Sequence, residues 1–457
     1  MNLVWQHLTL AHLSPWQWRE VSYVHRLLRP LRGWRQHSWL FQWADPLGFF
    51  LVAVVLGLAP FVSTALIGVL LLACASFWVM LTLTDQSGWG FTPIHLLVLL
   101  YWGVATAATA LSPVKSAALS GWVKLSLYLI LFALMARILR SPRLRNWLVT
   151  LYLLTTLIVS GYGLRQWFFG AEALATWVDP ASPLAKTTRI YSYLGNPNLL
   201  AGYVIPAIAF GVVAMFVWQG WLPKVLALLI SGVNSACLVL TFSRGGWLGF
   251  VALLAVLVIL LFHWWSLYLP RFWQIWTIPI LLAGSGVLLV IAVLKVAPLR
   301  DRVVSMFAGR EDSSNNFRLN VWYAVIDMIR DRPILGIGPG NSAFNQIYPL
   351  YQRPNYSALS AYSVLLENAV EMGFIGLGCF LWLLLVTLNQ GWLQLQRLRQ
   401  LADPQGLWLV GAIAALAGML VHGLVDTVWY RPQVNTLWWL AVALIASYYP
   451  VSRSETV

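Results

Sequence analysis

The chain is short of charge. Of its 457 residues only 10% are Asp, Glu, Lys or Arg, while 60% are hydrophobic. Water-soluble domains carry roughly 25% charged residues, so a soluble globular fold is excluded. Cysteine is scarce as well: Cys74, Cys237 and Cys379 each lie inside an apolar run without pairing spacing, which supports neither a disulfide framework nor a thiolate metal site. The seven histidines show no spacing of the HExxH kind, so no metal and no cofactor is expected. The glycine-rich stretch GIGPGNSAF, residues 336–344, lacks the Lys-Ser/Thr of a phosphate-binding loop and reads as a turn. The N-terminal tail has no short apolar core followed by a small-residue cleavage site, so it is not read as a signal peptide.

Aromatic residues and basic charge are abundant. The 27 Trp and 17 Tyr cluster near the ends of apolar runs, as Trp218, Trp221, Trp276, Trp438 and Trp439 do, where amphipathic rings sit at membrane interfaces. They require no nucleic-acid partner. The net charge of +14, from 29 Lys and Arg against 15 Asp and Glu, suits membrane topology, anionic headgroups or an anionic substrate.

Apolar runs of spanning length occupy residues 61–83, 93–111, 117–136, 147–164, 199–218, 225–242, 246–262, 275–294, 363–388, 406–425 and 435–448. Residues 47–59 add a shorter run, separated from the next by Pro60 and expected to form a tight helical hairpin with it. The predicted fold is all-α: a polytopic transmembrane helical bundle of about twelve spans, with a helical loop between spans 9 and 10. Residues 1–45 form a basic tail expected at the cytoplasmic interface, residues 46–296 a first transmembrane block, residues 297–362 an extracytoplasmic helical loop and residues 363–457 the C-terminal transmembrane helices. The Arg-dense turn RILRSPRLR places both termini on the cytoplasmic side of the plasma (inner) membrane. Within the loop, Ser313, Ser314, Asn315 and Asn316 are capping-type residues before an amphipathic helix that stops ahead of Pro333.

Few residues could carry chemistry. Arg244 stands between two apolar runs, flanked by glycines, and Arg318 lies among amide and aromatic residues; a guanidinium so placed snorkels, pairs or faces an anion. Glu367 and Glu371 are one helical turn apart on one face, with Asn368 beside the first, and two like charges there call for a nearby cation or a shared proton. His422 and Asp426 repeat the i, i+4 spacing near the end of another helix.

The strings TFSRGGWLGF, FRLNVWYAVIDMIRDRPILGIGPGN and AVEMGFIGLGCFLWLLL resemble the O-antigen ligase and polymerase superfamily of polytopic membrane proteins, over about the last 270 residues. RIYSYLGNPNLLA, GREDSSNNFR and ALSAYS resemble the cyanobacterial inorganic carbon accumulation family, described as bicarbonate transporters, over nearly the whole chain. The first resemblance implies a glycosyltransferase using a polyprenyl-linked donor, with Glu371, Gly373 and Gly376 on the E-x-G-x-x-G pattern. Tyr362 and Ser363 stand where the ligases carry His and Asn, and a phenol is a poor base at neutral pH; this disfavours transfer chemistry at that position and leaves Tyr362 and His422 as the catalytic candidates. The second resemblance implies an anion site in which Arg244 or Arg318 holds bicarbonate and Ser363, Tyr362 or backbone amides of the glycine turns hydrogen-bond it, with Glu367 and Glu371 as further site residues; Arg244, Arg318 and Glu371 are expected to share one polar cavity. An accessory subunit supporting another transporter is a third reading. The partners implied are membrane lipid and either a small anion or a lipid-linked glycan, with a protein partner left open.

Overall fold

A computed structural model describes residues 3–10, 38, 42–84, 91–172, 189–295, 300–301, 303–304, 307 and 309–449. Most of the basic tail read from the sequence lies outside the described residues. So do residues 450–457 at the C-terminus.

Fifteen α-helices run along the described residues: α1 Leu3–Leu8, α2 Ala44–Leu58, α3 Thr64–Thr84, α4 Pro93–Ala110, α5 Lys115–Ile138, α6 Pro142–Phe169, α7 Pro197–Val217, α8 Trp221–Leu240, α9 Arg244–Trp265, α10 Arg271–Lys295, α11 Ser313–Asp331, α12 Asn341–Ile347, α13 Val364–Gln400, α14 Leu407–Val425 and α15 Pro432–Ser447. No strand occurs among these residues. The expected all-α polytopic bundle is what forms. Each of the twelve apolar runs becomes a helix, and nine of the helices are long and apolar enough to cross a membrane, while α2 is a shorter apolar helix. The break at Pro60 holds: α2 and α3 turn back on one another across residues 59–63.

Local chemistry sets the helix starts. Asn196 caps α7 by accepting from the Asn198 and Leu199 amides, with Pro197 in the first turn, a position where its missing N–H costs nothing. Ser141 caps α6 and Ser243 caps α9 in the same way. For α11 the cap is Asp312, one residue before the run of capping-type residues, and it accepts from the Asn315 amide. Asp312 takes the position because a carboxylate there also meets the positive helix end.

The core is shared between the first and last blocks of helices. Helix α14 packs along α9 and α7, α15 along α5, and α13 along α4. Small residues allow the closest of these contacts: a Cβ on Gly249 would meet the Gly418 carbonyl oxygen at 2.5 Å. Helix α7 is the most enclosed of the spanning helices, with 78% of its apolar window buried, which explains a sequence apolar on every side.

Helix α13 is broken. Gly373 has φ +67 and ψ −171, so residues 364–372 and 374–400 are two helices meeting at a kink. The glycine turn at residues 336–340 docks on the break: the Ile337 amide donates to the Val370 carbonyl at 2.9 Å, the Gly338 amide to that of Glu371 at 2.9 Å, and the Phe374 amide to that of Pro333 at 2.7 Å. Gly336, Gly338 and Gly340 all have positive φ, and a Cβ on Gly373 would overlap the Ile334 carbonyl. The helix-breaking residue and the loop that satisfies the opened carbonyls are therefore one device.

Candidate functional site

Three arginines converge at the end of the bundle where α7 and α9 begin and α14 ends. Arg189, in the extended segment before α7, donates through Nε to the Thr241 carbonyl at 3.0 Å and through Nη2 to Asn198 Oδ1 at 3.1 Å. Asn198 Nδ2 donates to Asp426 Oδ2 at 2.7 Å. Arg318, from α11, pairs with the same Asp426 oxygen at 3.6 Å, while Asp426 Oδ1 accepts from the Thr427 amide at 2.8 Å. Arg244, in the first turn of α9, holds Asp312 at 2.8 Å. Asp312 thus caps α11 and ties it to the transmembrane helix beneath.

Positive charge is crowded here. Burial and the neighbouring guanidinium groups of Arg244 and Arg318 push the Arg189 pKa down to about 10, against the attraction of Asp426. Clustered guanidinium groups are complementary to anions, here the carboxylates of Asp312 and Asp426.

His422, one turn before Asp426, is 1% exposed. Gly202, Gly245 and Gly249 make room for its ring: a Cβ on Gly245 would lie 2.8 Å from its Cδ2. Neither ring nitrogen has a hydrogen-bond partner among the described residues.

Tyr362 stands beside this cluster with φ +51, an uncommon conformation for a bulky residue that marks a constrained position. Its ring packs edge-on against Phe317, 5.5 Å away. Burial, followed by the negative charge of Asp426, pushes its phenol up to about 12. Ser363 is the N-cap position of α13 without a side-chain capping bond.

Beyond Tyr362 lies a cavity of about 370 Å³. Glu367, Asn368 and Glu371 of α13 face it across from Tyr101 of α4 and Lys124 of α5, with Arg431, Trp429, Trp438 and Trp439 closing another side. Glu367 Oε2 accepts from the Ala361 amide at 2.7 Å, and the carboxyl lies beside Thr427, which also lines the cavity. Asn368 accepts from the Tyr101 hydroxyl at 2.6 Å. A second cavity, of about 400 Å³, shares Lys124, Tyr128, Tyr430 and Arg431 with the first and reaches Thr64, Ala65, Gly68 and Leu71 of α3.

Glu367 and Glu371 thus share one cavity, as their spacing implies, but Arg244 and Arg318 do not line it. Those guanidinium groups are taken by Asp312 and Asp426, acids whose pairing across the fold has no sequence signature. The cations that share the cavity lining with the two glutamates are Lys124 and Arg431 instead. Asp426 stands out in the sequence only by its spacing from His422, and Arg189 and Asn198 do not stand out as isolated charges beside spans. The available signal was RIYSYLGNPNLLA itself, which packs an Arg and two Asn into a helix start.

Residues 225–381 match the family described as O-antigen ligase. The match includes Arg244, Arg318, Tyr362, Ser363, Glu367 and Glu371, and ends before His422 and Asp426. No curated protein matches the chain, and nothing in the family match bears on carbon accumulation or bicarbonate. The chain is a polytopic membrane protein in which residues 225–381 are similar to the O-antigen ligase family.

Proposed function

We propose that the chain is a glycosyltransferase that takes a polyprenyl-linked, phosphate-bearing glycan, with the phosphates at Arg189, Arg244 and Arg318 and the sugar in the cavity beyond Tyr362. The observation that supports this reading is a cluster of three arginines around Asp426 and Asp312, joined to a carboxylate-lined cavity through Thr427, the neighbour of Asp426. Planar guanidinium groups match phosphate oxygens, tryptophans suit a sugar face, and the continuation of the cavity toward α3 suits a lipid tail.

In the transfer step the acceptor hydroxyl forms a bond to the anomeric carbon. The bond from that carbon to the phosphate oxygen breaks, and its electron pair stays on the leaving phosphate. The arginines stabilise that developing charge, and the hydroxyl proton passes to a cavity carboxylate. Glu367 is the better placed, since it lines the cavity beside Thr427, next in the chain to Asp426 of the arginine cluster. Tyr362, with its phenol held protonated, serves as a hydrogen-bond donor. Bicarbonate carriage has less in its favour: a small monoanion gains little from a cavity of about 370 Å³ bearing two carboxylates. The loop of residues 297–362 lies on the outer face in this reading, with both termini cytoplasmic.

The test uses purified protein in lipid nanodiscs with a polyprenyl diphosphate-linked oligosaccharide. Native mass spectrometry should show a retained complex that Arg318→Ala weakens about 10- to 100-fold, the loss of one charge-assisted contact or two. Labelled bicarbonate uptake by the same protein in liposomes, without glycan lipid binding, would replace this reading with the carrier.

A further inference from the structure

At the far end of the helices that build the arginine cluster, the structure holds a second basic site. Helix α9 runs from Arg244 in the cluster to Trp264 and Trp265, a rise of about 30 Å, and α7 runs in parallel from Asn198 to Phe216. There a cavity of about 290 Å³ is lined by Phe216, Lys224, Trp264, Trp265, Tyr268 and Arg399 among others, none of them acidic. Arg399 is set in place by neutral partners: its Nε donates to the Trp264 carbonyl at 3.4 Å, Nη2 to Ser266 Oγ at 2.8 Å, and Nη1 lies 3.3 Å from His263 Nε2. Lys224 is exposed and has no carboxylate partner among the described residues.

The surroundings are those of a membrane interface. Trp221, Leu222, Leu267 and Tyr268 are exposed around the cavity mouth, and the Trp265 and Phe216 rings pack 4.6 Å apart in its wall. Tryptophan and tyrosine at this level anchor a helix end among headgroups. A basic pocket between spanning helices, open to lipid and free of acid, has the chemistry of a phosphate headgroup site.

We infer that this cavity binds one anionic phospholipid, with the phosphate between Lys224 and Arg399 and the acyl chains along the exposed faces of α8 and α9. Two unpaired cations beside apolar surface are complementary to a lipid of one negative charge, and the guanidinium is already oriented. A zwitterionic lipid would bring its own ammonium against the two cations. The site is separate from the proposed glycan site and does not depend on it.

The experiment is delipidation of the full chain, followed by native mass spectrometry with phosphatidylglycerol, phosphatidylethanolamine or glycerol phosphate added singly. Phosphatidylglycerol should be retained over phosphatidylethanolamine. Lys224→Gln should weaken that binding about fivefold, the worth of one basic residue near an anionic surface, Lys224→Glu should weaken it further, and Lys224→Arg should restore it. Because Lys224 is exposed, all three variants should keep the parental melting temperature. Equal retention of the two lipids, or binding unmoved by Lys224→Gln and Lys224→Glu, overturns the inference. So does displacement of the lipid by millimolar glycerol phosphate, which would make this a site for a free anion. Loss of polyprenyl diphosphate glycan binding at the arginine cluster leaves these readings unchanged, so failure there and failure here are told apart.

Discussion

Asp426 holds the candidate site together at the level of single residues, because one carboxylate meets both the Asn198 amide and the Arg318 guanidinium. Asp426→Asn keeps the shape but removes the charge, leaving Arg318 close to other cations. The expected result is a fall in stability of about 1–3 kcal/mol, typical of a buried charged partner lost, read as a lower melting temperature in detergent. Tyr362 makes the opposite prediction. Its raised phenol pKa means that the neutral form is favoured in the folded protein, so its contribution to stability is complete below the ordinary tyrosine value near 10 and is lost only as pH rises toward about 12. Between pH 5 and 9 Tyr362→Phe should therefore leave the pH profile of glycan transfer unchanged in form, whereas Glu367→Gln should abolish the proton-accepting limb. A profile that loses its limb in Tyr362→Phe would make the phenol the base. The glutamate pair was legible from spacing alone, since i, i+4 fixes a shared face. The partners of Arg244 and Arg318 were not, because Asp312 lies 68 residues from Arg244 and nothing local encodes that meeting.

Among elements, the broken helix α13 and the glycine turn that serves it are the most sensitive pair. Gly373→Ala places a methyl group against the Ile334 carbonyl at a residue with φ +67, adding left-handed strain of about 1–3 kcal/mol to a backbone overlap. It should lower the melting temperature and loosen the loop, seen as faster amide exchange at Ile337 and Gly338. Gly103→Ala is the control: nothing lies within 4 Å of its new Cβ, and replacing a helical glycine stabilises by roughly 0.5–1 kcal/mol. Helix positions were readable because apolar length and capping residues are local properties. The E-x-G-x-x-G pattern marked where something unusual happens, but a sequence with apolar residues on both sides of Gly373 gives no sign that the helix stops there. The amides of residues 337 and 338, with the Pro333 carbonyl that takes the Phe374 amide, satisfy the backbone at that break.

For the molecule as a whole, the distribution of short basic segments sets the expected orientation. Cysteine labelling tests it directly, and the native background is favourable: Cys74, Cys237 and Cys379 are all buried. A membrane-impermeant maleimide applied to cells should modify Ser314→Cys and leave Arg140→Cys untouched. The reverse pattern would put the arginine cluster on the cytoplasmic side and remove an outer-face glycan from consideration. At this scale the sequence conveyed the most, since a chain 60% hydrophobic has few alternatives to a helical bundle.

The docking of residues 333–338 on the kink of α13 also has a consequence in time. A ribosome delivers that turn more than thirty residues before Gly373, so the amides that complete the broken helix already exist when its carbonyls emerge. Insertion of α13 then ends with a backbone handshake to a segment waiting beside it. A circularly permuted chain whose new ends fall between residues 341 and 363 would reverse that order of arrival while keeping every side chain, and its slower maturation in a membrane-coupled translation system would measure what the order is worth.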